Sequence, residues 1–233
     1  MARRARPAVS MDPDLSALGV ALADPSRLSM LDALLDGRAH PVGALAKRIG
    51  VTAATASGHV QRLEREQLVA VARIGRQRLV RLARPEVAQL LEAMARLAPP
   101  SPAFTAHAGR RARELRFART CYDHLAGIVG VRIAAALVER GWLVHDDDAF
   151  TPAPALGDWL ASHDVAVAES RRPLALACLD WSERVPHVAG RIGAAIAELC
   201  LGKQWLVRTR DSRAVRLTDR GRQALSRELG AKL

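Results

Sequence analysis

The chain has 233 residues, a formal charge of +11, 49% apolar and 25% charged residues, and only 3% aromatics. That length accommodates about two modest domains, whose cores must be built from Leu, Val, Ile and Ala. No stretch approaches the roughly 18 apolar residues of a membrane-spanning helix, and no apolar run follows the basic start from Ala2 to Pro7, so a soluble cytoplasmic protein is expected.

The positive charge favours a polyanionic partner, although it is carried almost wholly by arginine; the only lysines are Lys47, Lys203 and Lys232. Cys121, Cys178 and Cys200 lack CxxC spacing, which argues against a disulfide framework and fits reduced thiols.

Residues 1–13 read as a disordered basic tail, and a first domain is expected over 14–97. Asp24 followed by Pro25 is a strong helix start, because the carboxylate accepts free backbone N–H groups and proline suits the first helical position. The helix runs to about Asp36, with Leu28, Leu31 and Leu35 forming a buried stripe. A shorter helix spans Pro41 to Ile49 and stops at Gly50; Thr52 then caps a third helix from Ala53 to Gln67.

In that third helix Ala56, Val60 and Leu63 point inward. At 100° per residue the opposite face carries Ala54, Thr55, Gly58, Gln61, Arg62 and Arg65, flanked by Ser57 and His59. Small and hydrogen-bonding residues at its N-terminal half allow close approach to base edges, and the arginines reach phosphates, as a recognition helix requires. Leu68 to Arg73 and Gln77 to Leu82 form a hairpin signal around Gly75, with Arg73, Arg76 and Arg78 placed as in a DNA-contacting wing.

Taken together, Asp24-Pro25-Ser26-Arg27-Leu28, Val42 to Ile49, Thr52 to Leu63 and the hairpin resemble the ArsR/SmtB family of winged-helix transcriptional regulators, over about residues 15–97. The resemblance implies a homodimer, built partly by the helices flanking the winged core, that places two recognition helices in successive major grooves of a pseudo-palindromic operator. It also implies a repressor that releases DNA when an effector binds. One departure is clear: where the family's best-known metal site has Cys-x-Cys before the recognition helix, this chain has Pro41-Val42-Gly43-Ala44-Leu45-Ala46, and the helix after the wing, Pro85 to Leu97, has neither Cys nor His.

Ala98 to Pro102 is a proline-rich linker signal, and residues 103–233 form the second expected domain. It carries an internal repeat over about 115–163 and 172–230. His124, Gly127, Gly130, Ala134 and Trp142 match His187, Gly190, Gly193, Ala197 and Trp205 at one offset (187 − 124 = 63). Each copy reads as a winged-helix-like unit of helix, hairpin and helix, so the fold class is mainly α with small β-hairpins, an N-terminal winged helix-turn-helix and two tandem repeats.

Upstream of each stripe sits Cys-x-Asp, and the residues leave three readings open. Cys121 and His124, at i and i+3 on one helical face, could bind a soft metal such as Zn²⁺ with Cys178 and His187 brought in by pseudo-symmetry, although six inserted residues before His187 disturb the second spacing. The thiols could instead form a redox pair. The favoured reading needs no cofactor: Cys121 and Cys178 are core residues, and Asp123 and Asp180 cap or pair with arginines such as Arg119 and Arg184.

Trp142, Trp159, Trp181 and Trp205 are candidate walls for a small organic effector, and Arg110, Arg111, Arg113, Arg116 and Arg119 mark a helix joining the domains. The expected function is therefore sequence-specific binding of double-stranded operator DNA, beside the nucleoid, with no enzymatic chemistry and no membrane partner. A non-specific architectural DNA binder is the remaining alternative. A cysteine enzyme using Cys121 and His124 is disfavoured, because helical i, i+3 spacing seldom aligns nucleophile and base.

Overall fold

The computed structural model describes residues 15–99, 109–146, 149–210 and 212–233. The expected tail and residues 100–102 of the expected linker lie outside these. Among the described residues, no helix is long and apolar enough to cross a membrane.

The N-terminal lobe begins with α1 (Leu15–Leu22) and α2 (Pro25–Leu34). Asp24 caps α2 by accepting the Arg27 N–H at 2.9 Å, with Pro25 in the first turn. A two-residue strand, β1 (His40–Pro41), leads into α3 (Val42–Ile49), which ends at Gly50 in the left-handed conformation (φ 74°). After that turn Thr52 caps α4 (Ala53–Arg65), its hydroxyl accepting the Thr55 N–H at 3.1 Å.

The wing is β2 (Val69–Ile74) and β3 (Gln77–Leu82), joined at Gly75-Arg76, and α5 (Pro85–Leu97) follows. The sheet order is β1-β3-β2, all antiparallel. Leu31, Leu34, Leu45, Val60, Leu63 and Leu82 fill the lobe's core, so the stripes expected of α2, α3 and α4 all point inward. At roughly 1.5–3 kcal/mol per fully buried aliphatic side chain, this cluster is what holds α4 against its scaffold.

The second lobe opens with α6 (Gly109–Phe117). Then come β4 (Arg119–Cys121), β5 (His124–Ala126), α7 (Gly127–Glu139), β6 (Leu143–Asp146), β7 (Ala149–Pro152) and α8 (Pro154–Ser162). The same order recurs in β8 (Leu176–Leu179), β9 (Pro186–Ala189), α9 (Gly190–Gly202), β10 (Leu206–Arg208), β11 (Val215–Leu217) and α10 (Asp219–Leu229). Both halves share one core, in which Ile133, Leu137 and Leu156 meet Ile192, Ile196, Leu199 and Leu225.

The structure departs from the sequence pattern at two places in this lobe. Cys121 and His124 do not share a helical face; they are cross-strand partners on the β4–β5 hairpin, with Tyr122 and Asp123 as its turn. Tertiary pairing overrides the local spacing, since Thr120 N–H donates to Arg213 O and Val215 N–H to Ala118 O, tying this hairpin to the β11 segment of the second half. Arg119, expected on the helix joining the domains with Arg113 and Arg116, instead sits on β4 and is fully buried.

That buried arginine belongs to the junction between the lobes. Its guanidinium donates to Asp180 at 3.0 Å, lies 3.9 Å from Glu92 of α5 and stacks on Trp181 at 4.6 Å. Arg213 donates to the other Glu92 oxygen at 3.1 Å and reaches Asp32 of α2 at 3.2 Å. Glu92 is thus a buried anion of the N-terminal lobe held by two cations of the C-terminal one. Removing one member of such a set strands the others without water, at a cost of about 3–5 kcal/mol. Glu92→Ala should lower the unfolding free energy by about that amount in urea titrations followed by circular dichroism, whereas Glu114→Ala, at an exposed pair with Arg110, should stay within about 0.5 kcal/mol.

Candidate nucleic-acid interface and a buried cysteine–histidine cluster

The outward face of α4 follows from its three inward anchors, because Ala56, Val60 and Leu63 fix the helix's rotation about its axis. Thr52, Ala54, Thr55, Gly58, Gln61 and Arg65 are exposed; Ser57, His59 and Arg62 are half-buried at the margins. The structure thus brings the expected residues onto one side of one helix. Arg62 departs in detail, lying 3.6 Å from Glu66 at the C-terminal cap of α4, so its charge is partly engaged locally. On the wing Arg73 and Arg76 are exposed at the hairpin tip and Arg78 is half-buried, paired across the strands with Arg73.

In the second lobe the two hairpins meet back to back. Gly130 and Gly193 permit this: a side chain on Gly130 would collide with Leu125 O at 2.5 Å and would lie 3.6 Å from His187 Cβ. One on Gly193 would meet Val188 O at 2.3 Å and His124 Cβ at 3.1 Å. The small-residue stripe therefore packs α7 and α9 close to the hairpins and sets His124 beside His187, with ring centroids 5.1 Å apart.

The second hairpin pairs Cys178 directly with His187, just as the first pairs Cys121 with His124. The six inserted residues that disturb the sequence spacing are absorbed in a longer hairpin loop, where Asp180 accepts the N–H groups of Ser182 and Glu183. One potential ligand atom from each of Cys121, His124, Cys178 and His187 lies within 4.8 Å of the other three.

Electrostatics around these four groups is unequal. Interaction with Cys178, reinforced by burial, holds the Cys121 thiol up; the same interaction, with His124 and His187 beside it and against the cost of burial, holds the Cys178 thiol down. Burial would lower the pKa of His124, but Asp123 and Cys178 outweigh it and raise it to about 9. Burial works against ionisation of Asp180, yet His187, Arg119 and the N–H of Gly127 hold its carboxyl far below the ordinary aspartate range.

The sequence flagged Asp123 and Asp180 as partners for arginines, and the structure gives them arginines, Arg172 and Arg119. It also sets each beside a histidine of the cluster: His124 Nδ1 is 3.4 Å from Asp123 and His187 Nδ1 is 3.4 Å from Asp180. The recurrence of Asp at the same step after each cysteine, beside a recurring histidine, was the signal for that second role. Hairpin pairing also removes the helical-spacing objection to a Cys121–His124 catalytic pair, but Cys121 is 1% exposed with its thiol held up, the wrong direction for a nucleophile.

A cavity of about 750 Å³ opens beside the cluster, between α5 and the two hairpins, with Glu86, Glu92, Arg96, Tyr122, Arg172 and Cys178 among its lining residues. None of the four tryptophans expected to wall an effector site lines it. Trp159 and Trp205 are core residues, and Trp142 packs against Trp159 at 6.0 Å.

A family model described as a helix-turn-helix domain matches residues 22–72. The uncharacterised HTH-type transcriptional regulator YdfF of Bacillus subtilis (strain 168) is 39% identical over 226 residues, covering 96% of this chain and 100% of that protein. The HTH-type transcriptional regulator CmtR of Mycobacterium tuberculosis (strain ATCC 25618 / H37Rv) is 43% identical over 77 residues, 33% of this chain and 64% of CmtR. Among solved structures, the homodimeric winged helix-turn-helix DNA-binding domain of Mb0332 from Mycobacterium bovis is 30% identical, covering 46% of this chain and 95% of that one, with a TM-score of 0.37.

The three thiols should differ in reactivity. Cys178 is half-buried with its thiol held down, Cys121 is buried with its thiol held up, and burial in α9 pushes Cys200 up to about 12. Iodoacetamide applied to the native metal-free protein should modify Cys178 well before the other two, as read by peptide mass spectrometry; equal rates would contradict this arrangement.

Proposed function

This chain belongs to the ArsR-type winged-helix transcriptional regulators, and from that premise we propose that it works as a homodimeric repressor whose grip on an operator is set by an effector acting on its C-terminal lobe. That it is a DNA-binding regulator is the family's property; the dimer, the repression and the effector are the proposal.

The observation that carries the DNA-reading assignment is the composition of the exposed α4 face. An ordinary solvated helix face is rich in long charged side chains, but the first two turns here expose Ala54, Thr55 and Gly58, with Thr52 capping. Such a surface brings backbone and hydroxyls within reach of base edges in a major groove, where the exposed Gln61 can also pair with a base. Arg65 at the helix end and Arg73 and Arg76 at the wing tip then fall where a duplex backbone passes.

Self-association has support from α1, which leaves Leu15 at 70% and Val20 at 57% exposure, an apolar face that a second copy would cover. Effector control has support from the cavity, which is bounded by α5 of the reading lobe on one side and the hairpins on the other. No catalytic step is part of this function.

Fluorescence anisotropy on DNA from the region upstream of its own gene tests the reading. Arg65→Ala and Arg76→Ala should each weaken binding across all sequences and reduce the slope of log affinity against log salt by about 1. Arg62→Ala should do the same to a smaller degree, because Glu66 already engages it. Thr55→Ala or Ser57→Ala should instead change base preference, by about 1–3 kcal/mol at one position. Unchanged salt slopes for Arg65→Ala and Arg76→Ala would remove α4 and the wing from the interface, and equal affinity for random DNA would favour an architectural binder.

A further inference from the structure

We propose that Cys121, His124, Cys178 and His187 form a four-coordinate binding site for a thiophilic divalent cation of the Zn²⁺ class, shared between the two hairpins and placed against the DNA-reading lobe.

The donor set carries the argument. Two thiols and two imidazoles within 4.8 Å of one another are the ligand complement of tetrahedral zinc, whose bond lengths of about 2.0–2.3 Å separate ligand atoms by roughly 3.3–3.8 Å. Small side-chain rotations close the difference. Two thiolates and two neutral imidazoles would cancel the charge of a divalent ion, so its burial leaves no net charge in the apolar interior. Magnesium and calcium, which demand oxygen ligands, do not fit this set.

The histidines supply the second, independent observation. His124 and His187 are 6% and 0% exposed, and Nε2 of both is buried without a hydrogen-bond partner. On the other side of each ring Nδ1 faces a carboxylate at 3.4 Å, Asp123 for one and Asp180 for the other. A carboxylate that accepts a hydrogen bond from Nδ1–H turns Nε2 toward the ion, which displaces any proton there, and metal-ligating histidines are oriented in this way; Asp123 makes that contact with His124, whereas His187 Nδ1 stands 3.4 Å from Asp180 without a hydrogen bond. A pair of redox thiols needs neither the two unpartnered nitrogens nor the two carboxylates, so the geometry favours a metal over a disulfide switch. Cys178 lines the 750 Å³ cavity and provides the entry path.

The site is tied to the reading lobe. The Tyr122 N–H in the first hairpin's turn donates to Leu35 O at 2.8 Å, and Arg213 bridges Thr120 O to Glu92 of α5. Drawing Cys121 and His124 onto an ion therefore acts on a hairpin bonded to the end of α2 and, through Arg213, to α5. Resting on the regulator reading above, we assign this ion as the effector.

The test uses the reduced, metal-stripped full-length protein. Titration with Co²⁺ should give the visible d–d bands of tetrahedral cobalt and near-ultraviolet thiolate charge transfer, saturating at one ion per chain and displaced by Zn²⁺. Asp123→Asn should weaken cobalt binding by about 10–100-fold, and Cys178→Ser by more; Cys200→Ala should leave it unchanged. Zn²⁺ should also protect Cys178 of the unmodified protein from iodoacetamide, a readout that does not depend on any variant folding. An octahedral cobalt spectrum, unprotected Cys178, or binding unaltered in folded Cys178→Ser would overturn the site.

Anisotropy on the upstream DNA, with Zn²⁺ or with chelator, separates the remaining outcomes. A change in affinity of about 5-fold or more is expected. Cobalt binding without such a change overturns the effector role and leaves the site standing. No DNA binding in either state overturns the regulator reading alone.

Discussion

The two lobes of this protein are joined by a charge that cannot be left alone. Glu92 is 1% exposed on α5, and the cations that neutralise it, Arg213 and Arg119, belong to the other lobe. Arg119 in turn holds Asp180, whose carboxylate lies 3.4 Å from His187 Nδ1. Surface ion pairs contribute little, but a buried set of this kind is expensive to break, so the winged core, the first hairpin and the second hairpin are constrained to move together. Tyr122 bonded to Leu35, and Arg208 bonded to Asp36 O, add neutral-acceptor contacts along the same seam.

On the function proposed above, this seam would carry a signal to a winged core that has no thiols on α3, the helix before α4. Every buried position of α3 and α4 is aliphatic, so these two helices offer no buried ligand atoms. Chemistry is concentrated instead at the meeting of two hairpins that recur in sequence. Each hairpin supplies one cysteine, one histidine and one nearby carboxylate, and their meeting gathers the four residues of the proposed site.

Much of the N-terminal lobe was legible from local rules. The caps at Asp24 and Thr52, the stop at Gly50 and the spacing of Ala56, Val60 and Leu63 are decided within a few residues of themselves, so periodicity and capping locate α2, α3 and α4 to within a few residues. The strand β1 was not legible, because two residues, one of them proline, form it only by pairing with Val80 and Leu79. In the second lobe the sequence offset was visible, but the spacing of Cys121 and His124 fits both a helical face and a hairpin with a two-residue turn. Pairing with residues some 90 positions away, Arg213 to Val215, decided between them. Arg119 was misplaced for the same reason. The four-residue cluster was visible as a set of residue types, and the inserted residues that obscured it lengthen the second hairpin without separating Cys178 from His187.

On the proposed reading, events at the cysteine–histidine cluster reach the winged lobe through this junction. Hydrogen–deuterium exchange of the full-length protein, with and without one equivalent of Zn²⁺, tests it most directly. Slower exchange in both hairpins is expected, together with altered exchange at the end of α2 and in α5. Changes confined to the hairpins, with α2 to α5 unaffected, would contradict it.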